Sequence, residues 1–167
     1  MRLLTPDAMA ERVEDITVEM LQGMGVRGVA LDLDNTIVPW HTADLTPTVS
    51  AWVGRLLSGG LSVCLVTNNY AGHAADVARG LGVPIVAGAL KPVPIAFRRA
   101  LAALQVPAAN SAVIGDQLFT DVLGGKLLGM RAILVKPIGG REFFTTRLMR
   151  MMERPLLARM RHQIHAR

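Results

Sequence analysis

At 167 residues the chain has the length of one domain with a sizeable core, and with 51% apolar but only 4% aromatic residues that core must be built from Leu, Val, Ala, Ile and Met. No apolar run approaches the roughly 18 residues of a membrane span, the start MRLLTPDAMAERVED turns acidic too early for a secretory leader, and the lone Cys64 excludes a disulfide framework or a cysteine metal site. The formal charge of +5 is uneven: residues 136–167 carry a net +6 and the remainder a net −1, so a basic surface for a polyanion is confined to the C-terminal tail.

In chain order, the first apolar run leads into VALDLDNTIV (29–38) and predicts a strand over 26–32, with Asp32 and Asp34 at its end. The flap IVPWHTADLTP follows, where Trp40 is expected to pack the flap down and His41 to face solvent. TPTVSAWVGRLLS predicts a helix over 46–58, closed by Gly59-Gly60. LSVCLVT predicts a strand over 61–67, with Cys64 as a small buried hydrophobe and Thr67 and Asn68 at its end. A helix over 71–81, a strand over 83–87, a helix over 93–104 and a strand over 112–115 come next. Pro92 suits a first helical position, which would set Lys91 at the positive end of the helix dipole. The strand at 112–115 ends in Asp116, a helix over 119–128 carries Asp121 in its first turn, and a strand over 132–135 closes the pattern. Strands alternating with helices predict a Rossmann-like α/β three-layer sandwich with a mostly parallel central sheet.

In a parallel sheet the ends of all strands lie on one edge, where ligands bind. Asp32 and Asp34, Thr67 and Asn68, and Asp116 all fall there, with Asp121 close behind. Each has an ordinary structural explanation, such as a helix cap or a first-turn acid. Together they crowd several carboxylates on one rim, which a bound cation would make tolerable, and hard oxygen donors suit Mg²⁺. A cationic Lys91 at a helix start gains a purpose if an anion lies between it and that metal. Phosphoryl transfer is the chemistry that uses a metal, a cationic clamp and an aspartate.

Taken in order, DLDNT (32–36), VTNN (66–69), Lys91 and GDQLFTD (115–121) resemble the four signatures of the haloacid dehalogenase (HAD) superfamily. VPW at 38–40, KP at 91–92, GDQLFTDVLGG at 115–125 and the RxxxxMERPLL stretch from 147 to 157 resemble its YqeG-like, capless phosphatase branch in subfamily IIIA. The resemblance implies that Asp32 is the nucleophile of an aspartyl-phosphate mechanism and Asp34 the general acid and base. ATPase relatives carry Thr at the position of Asp34, so Asp favours hydrolysis. It further implies that Asp32, the main-chain carbonyl of Asp34 and Asp116 hold Mg²⁺, with Asp121 supporting them from outside. Thr67, Asn68 and Lys91 would bind the phosphoryl group. The short spans 37–66 and 70–90 leave no room for a cap domain, so the site should be open.

Residues 1–140 are thus expected to form the catalytic core, and 141–167 a basic amphipathic helical segment. Leu156, Leu157, Met160 and Ile164 span only about 100° of a helical wheel. Arg147, Arg150 and Arg154 form a separate stripe, and Pro155 divides the segment. Contact with an anionic membrane, packing on the core and nucleic-acid binding all stay open for it. His162 and His165 lack the companions of a metal site. The branch is similar to mitochondrial-type phosphatidylglycerophosphate phosphatases, which implies a lipid phosphate as substrate at the inner face of a membrane. A small sugar or nucleotide phosphate is the enzymatic alternative. A non-catalytic, membrane- or nucleic-acid-associated binding module is the alternative from another class.

Overall fold

The computed structural model describes residues 2–40, 42–70 and 72–138. The expectations placed on His41 and on residues 141–167 lie outside them. Six strands form one all-parallel sheet: β1 (Ala8–Ala10), β2 (Gly28–Leu31), β3 (Ser62–Val66), β4 (Ile85–Val86), β5 (Ser111–Gly115) and β6 (Arg131–Val135), in the order β1-β6-β5-β2-β3-β4. The helices are α1 (Val18–Gly23), α2 (Pro47–Ser58), α3 (Gly72–Leu81), α4 (Pro94–Leu104) and α5 (Leu123–Leu127).

Period-2 alternation along the strands divides the core into two layers of side chains. Val29 and Leu31 of β2, Val63 and Leu65 of β3, and Ala112 and Ile114 of β5 face one way, toward Trp52, Val53 and Leu56 of α2 and Val77 of α3. Ala30, Cys64, Val66 and Val113 face the other way, toward Phe97, Ala100 and Leu104 of α4. Burial of Cys64 pushes its thiol up to about 11, the behaviour of a structural cysteine. The indole N–H of the fully buried Trp52 donates to the Ile16 carbonyl at 2.7 Å, so this large side chain enters the core with its polar atom satisfied. Thr46 caps α2 by accepting from Val49 N, and Pro47 occupies the first helical position.

Four expectations change. The sheet has a sixth strand, β1, whose three residues pair with β6 in the register Ala8↔Ile133. AMA between two acidic residues is too short to show a period. Helix α1, six residues with one buried side chain, Leu21, also carries too little pattern to read. The expected helix over 119–128 is two pieces, a π-helical turn (Leu118–Val122) followed by α5. Finally, Pro94 and not Pro92 opens α4. Lys91 lies in the preceding loop, joined to Pro92 by a cis peptide bond.

No helix among the described residues is long and apolar enough to cross a membrane. A single helix, α2, intervenes between β2 and β3, and α3 alone between β3 and β4, so among the described residues no cap stands over the carboxyl edge.

Candidate active site

The sheet reverses direction of growth at β2, with β3 and β4 on one side and β5 and β6 on the other. A crevice opens at such a point beyond the strand ends. The register Leu31↔Ile114 and Leu31↔Leu65 puts the residues following β2, β5 and β3 side by side. Asp32 continues the ladder with a backbone bond to Ile114 O at 2.9 Å.

Beyond Asp32 the chain folds tightly back. The amides of Ile37 and Val38 return to Leu33 O, Asn35 takes a left-handed conformation at φ 61°, and Leu33, Ile37 and Val38 are buried. This turn brings the Thr36 hydroxyl onto Asp32 Oδ2 at 2.7 Å and fixes that carboxylate. Asp34 remains half-buried at the rim. Its Oδ2 accepts from the Thr67 hydroxyl at 3.0 Å, and its Oδ1 lies 3.8 Å from His73 Nε2. Thr67 in turn accepts from Asn69 N at 3.0 Å.

Lys91 arrives from the loop before α4 and is 8% exposed. Asn68 sets its backbone, because the carboxamide oxygen accepts from Lys91 N at 2.7 Å. The ammonium donates to Asp32 Oδ1, to Asp121 Oδ1 at 2.6 Å and to the Val66 carbonyl at 3.1 Å. Burial pushes an ammonium toward the neutral form, but the negative Asp121 and Asp32 outweigh it and hold Lys91 above its usual range, so it stays charged. Burial also pushes Asp32 up; Lys91 and Thr36 pull it down, the charge of Asp121 raises it, and the balance leaves it at about 6.

Asp116 follows β5 directly and is 5% exposed. Asp121 comes from the π-helical turn, a feature frequent at functional sites because it re-aims a side chain. Its Oδ2 accepts from Gln117 N at 3.2 Å, which turns the carboxylate back over the end of β5. The approach demands a glycine beneath it, since a Cβ on Gly115 would stand 2.4 Å from Asp121 Cγ. One carboxylate oxygen from each of Asp32, Asp116 and Asp121 lies within 4.8 Å of the others. Oxygens around an octahedral ion at about 2.1 Å stand roughly 3 Å apart when adjacent and about 4.2 Å when opposed. The three buried groups therefore fit a shared divalent cation. One ammonium cannot neutralise both Asp32 and Asp121, which leaves negative charge for such an ion to balance.

The residues expected to form the site, Asp32, Asp34, Thr67, Asn68, Lys91, Asp116 and Asp121, thus meet at one edge, with differences in placement. Asp121, expected outside the ion's immediate ligands, offers an oxygen to the same cluster as Asp32 and Asp116. Asn68 is exposed and holds the Lys91 backbone. Trp40 is half-buried. Two further residues reach the rim without any motif to announce them. His73 lies in the first turn of α3 beside Asp34. Tyr70, 76% exposed, lies over Gly88 with its hydroxyl 3.3 Å from the Gly88 carbonyl. The one signal available for both was their place just after the strand end at Thr67.

A HAD-hydrolase-like family model matches residues 89–139. The probable phosphatase YqeG of Bacillus subtilis (strain 168) is 35% identical over 164 residues, covering 98% of this chain and 95% of that protein. The phosphoserine phosphatase of Thermus thermophilus is 31% identical over 100 residues, 54% of this chain and 40% of its own length. Among solved structures, the cobalt-bound deoxy-D-mannose-octulosonate 8-phosphate phosphatase (YrbI) of Haemophilus influenzae superposes with a TM-score of 0.56 at 15% identity, over 67% of this chain and 69% of that one. An uncharacterized protein from Listeria monocytogenes serotype 4b superposes equally well, at 0.56 and 19% identity, over 70% and 84% of the two chains. These two likenesses speak for the fold. The site and the kinship to YqeG over nearly the whole chain define a class, a phosphatase of the HAD-like hydrolases. The chain belongs to that family, in its YqeG-like branch, and is a phosphoric monoester hydrolase.

Proposed function

We propose that the chain is a Mg²⁺-dependent phosphatase that works through an aspartyl-phosphate on Asp32 and acts on a lipid phosphate, phosphatidylglycerophosphate. The observation that carries the chemistry is the convergence of Asp32, Lys91, Asp116 and Asp121 within one buried cluster. Mg²⁺ would be held by Asp32, Asp116 and the main-chain carbonyl of Asp34, with Asp121 beside them. Bound there, it supplies positive charge that orients the phosphoryl oxygens and offsets their charge.

A carboxylate oxygen of Asp32 attacks phosphorus and the P–O bond to the alcohol breaks. Asp34 gives its proton to the departing oxygen. The ionised Asp34 then takes a proton from water as that water attacks the aspartyl-phosphate. Phosphate departs, and both carboxyl groups return to their starting states. Thr36 and Lys91 keep Asp32 oriented, and the Lys91 ammonium turns from carboxylate to phosphoryl oxygens as charge develops on them. Thr67 holds Asp34 in place for both proton transfers, and Thr67 and Asn68 line the phosphoryl side.

The open edge supports a bulky substrate. Leu90, held in a left-handed conformation at φ 53°, is 64% exposed immediately before Lys91, and Tyr70 is exposed on the neighbouring loop. Apolar side chains kept in water beside a phosphate site suit a head group presented at a lipid surface. Phosphate release with Mg²⁺ should be compared for phosphatidylglycerophosphate in mixed micelles and for small soluble phosphates. The lipid should be preferred, and Asp32→Asn should abolish turnover of every substrate. Equal or greater turnover of a soluble sugar or nucleotide phosphate would overturn the lipid assignment. Unchanged turnover by Asp32→Asn would overturn the mechanism.

A further inference from the structure

We infer that His73 is a specificity residue of this phosphatase, one that reads a hydroxyl on the carbon next to the one bearing the phosphate ester. The inference rests on the phosphatase reading, with Asp34 as proton donor. The departing oxygen must then lie at hydrogen-bond distance from the Asp34 carboxyl. His73 Nε2 is 3.8 Å from Asp34 Oδ1, too far for a hydrogen bond between the two but near enough to share a ligand. Atoms one and two bonds beyond the ester oxygen fall within the imidazole's reach. The two side chains sit at the same depth, 16% and 17% exposed, so His73 belongs to the rim and not to the core.

Its carrier is packed on the core. Helix α3 is anchored by Ala74, Val77 and Ala78, all buried, and His73 is its second residue. That first turn has amides without helical partners and the positive end of the dipole, which together favour an oxygen-rich neighbour. The nitrogen that faces the rim, Nε2, can exchange a hydrogen bond with a hydroxyl, which both donates and accepts. A second anionic group is disfavoured there by the acidic side chains already gathered at this edge, Asp32, Asp116 and Asp121. The preferred leaving group is therefore a polyol: a 1,2-diol carrying the phosphate on one oxygen. The glycerol head group of a lipid and free glycerol phosphate share that chemistry.

The test uses the full chain with Mg²⁺ and the ratio of kcat/KM for sn-glycerol 3-phosphate to that for propyl phosphate, which lacks the neighbouring hydroxyl. Wild type should favour the glycerol ester, and His73→Ala should lower the ratio about tenfold. His73→Gln keeps a donor and an acceptor and should retain part of the preference; if the alanine variant does not fold, this variant measured against wild type carries the comparison. Phosphatidylglycerophosphate in micelles, run alongside, distinguishes the sources: a fall in its kcat/KM assigns the lipid head group, a fall confined to the free ester the soluble one. A wild-type ratio near one, or a ratio unchanged by His73→Ala, overturns the inference while leaving the phosphatase reading intact. Absence of turnover on all three esters overturns that reading, and this inference with it.

Discussion

Replacing Gly115 by alanine should damage the active site through a single methyl group. A Cβ there would stand 2.4 Å from Asp121 Cγ and Oδ2 and 2.7 Å from Asp121 Cβ. Ordinary carbon contacts begin near about 3.5 Å, so the Asp121 side chain must retreat by roughly 1 Å. That movement takes Oδ1 away from Lys91 Nζ, now at 2.6 Å, and Oδ2 away from Gln117 N, now at 3.2 Å. Overpacking of this kind costs about 1–3 kcal/mol. For a chain of this size, at roughly 2–4 °C per kcal/mol, Tm should fall by about 2–12 °C. A misplacement of about 1 Å in a positioning group lowers turnover on the order of 10²-fold. Steady-state phosphate release and thermal unfolding, measured together, give both quantities. Gly59→Ala is the control: its Cβ would stand 2.7 Å from Val18 Cγ1, and it lies just before β3, at the opposite edge of the sheet. It should lower Tm without a comparable loss of kcat in the folded protein. If Gly115→Ala keeps wild-type kcat, or if Gly59→Ala loses as much, the close approach of Asp121 is not what turnover depends on.

Lys91→Met leaves Asp32 and Asp121 as buried carboxylates without their shared ammonium. Breaking a buried pair this way costs about 3–5 kcal/mol, so calorimetry should show a Tm lower by about 6–20 °C, partly restored by Mg²⁺. An unchanged Tm would contradict the geometry. Mg²⁺ itself should raise the Tm of wild type more at neutral than at acid pH. Asp32, raised to about 6 by burial, binds a proton more readily folded than unfolded. In metal-free protein this group's contribution therefore favours the fold in acid and declines as pH rises from the ordinary carboxylate value through about 6. Below about 6 the proton competes with the ion at Asp32. An equal Mg²⁺ shift on both sides of that value would argue against Asp32 as a ligand, and Asp32→Asn should remove the pH dependence. At the sheet edge, Asp7 accepts from Ala132 N at 2.7 Å and from Lys126 Nζ at 2.6 Å. Burial pushes Asp7 up, but Lys126, the Ala132 amide and Arg131 outweigh it and hold the carboxyl below its usual value. Its stabilisation is therefore present above that value and lost as acid protonates it. Asp7→Ala should cost about 1–2 kcal/mol in urea unfolding near neutrality, and less as the solution is acidified through the carboxylate range.

Much of this molecule is local in origin and was legible from residue order. The runs GVAL, SVCLV, SAVIG and RAILV are apolar on both faces, which a strand covered by helices on both sides requires, and all four are strands. Asp32, Thr67 and Asp116 stand where such runs stop, and because parallel strands end on one edge, their meeting followed from the pattern. The shortness of the connections after β2 and β3 left room for one helix in each and no inserted domain.

Other features depend on contacts that no short window contains. β1 exists because β6 offers it a ladder and Asp7 ties it to Ala132, 125 residues away in sequence. Lys91 finds Asp32 across 59 positions and Asp121 across 30, and its exact aim depends on a loop that Asn68 holds from a different strand end. The inward turn of Asp121 needs both the π-helical turn and the bare backbone of Gly115, and the approach of His73 to Asp34 needs α3 seated on its core. Propensity and period act over a few residues, and they decided which segments form strands and helices. Which carboxylate faces which cation is decided by packing between segments, so it emerges only once the layers close.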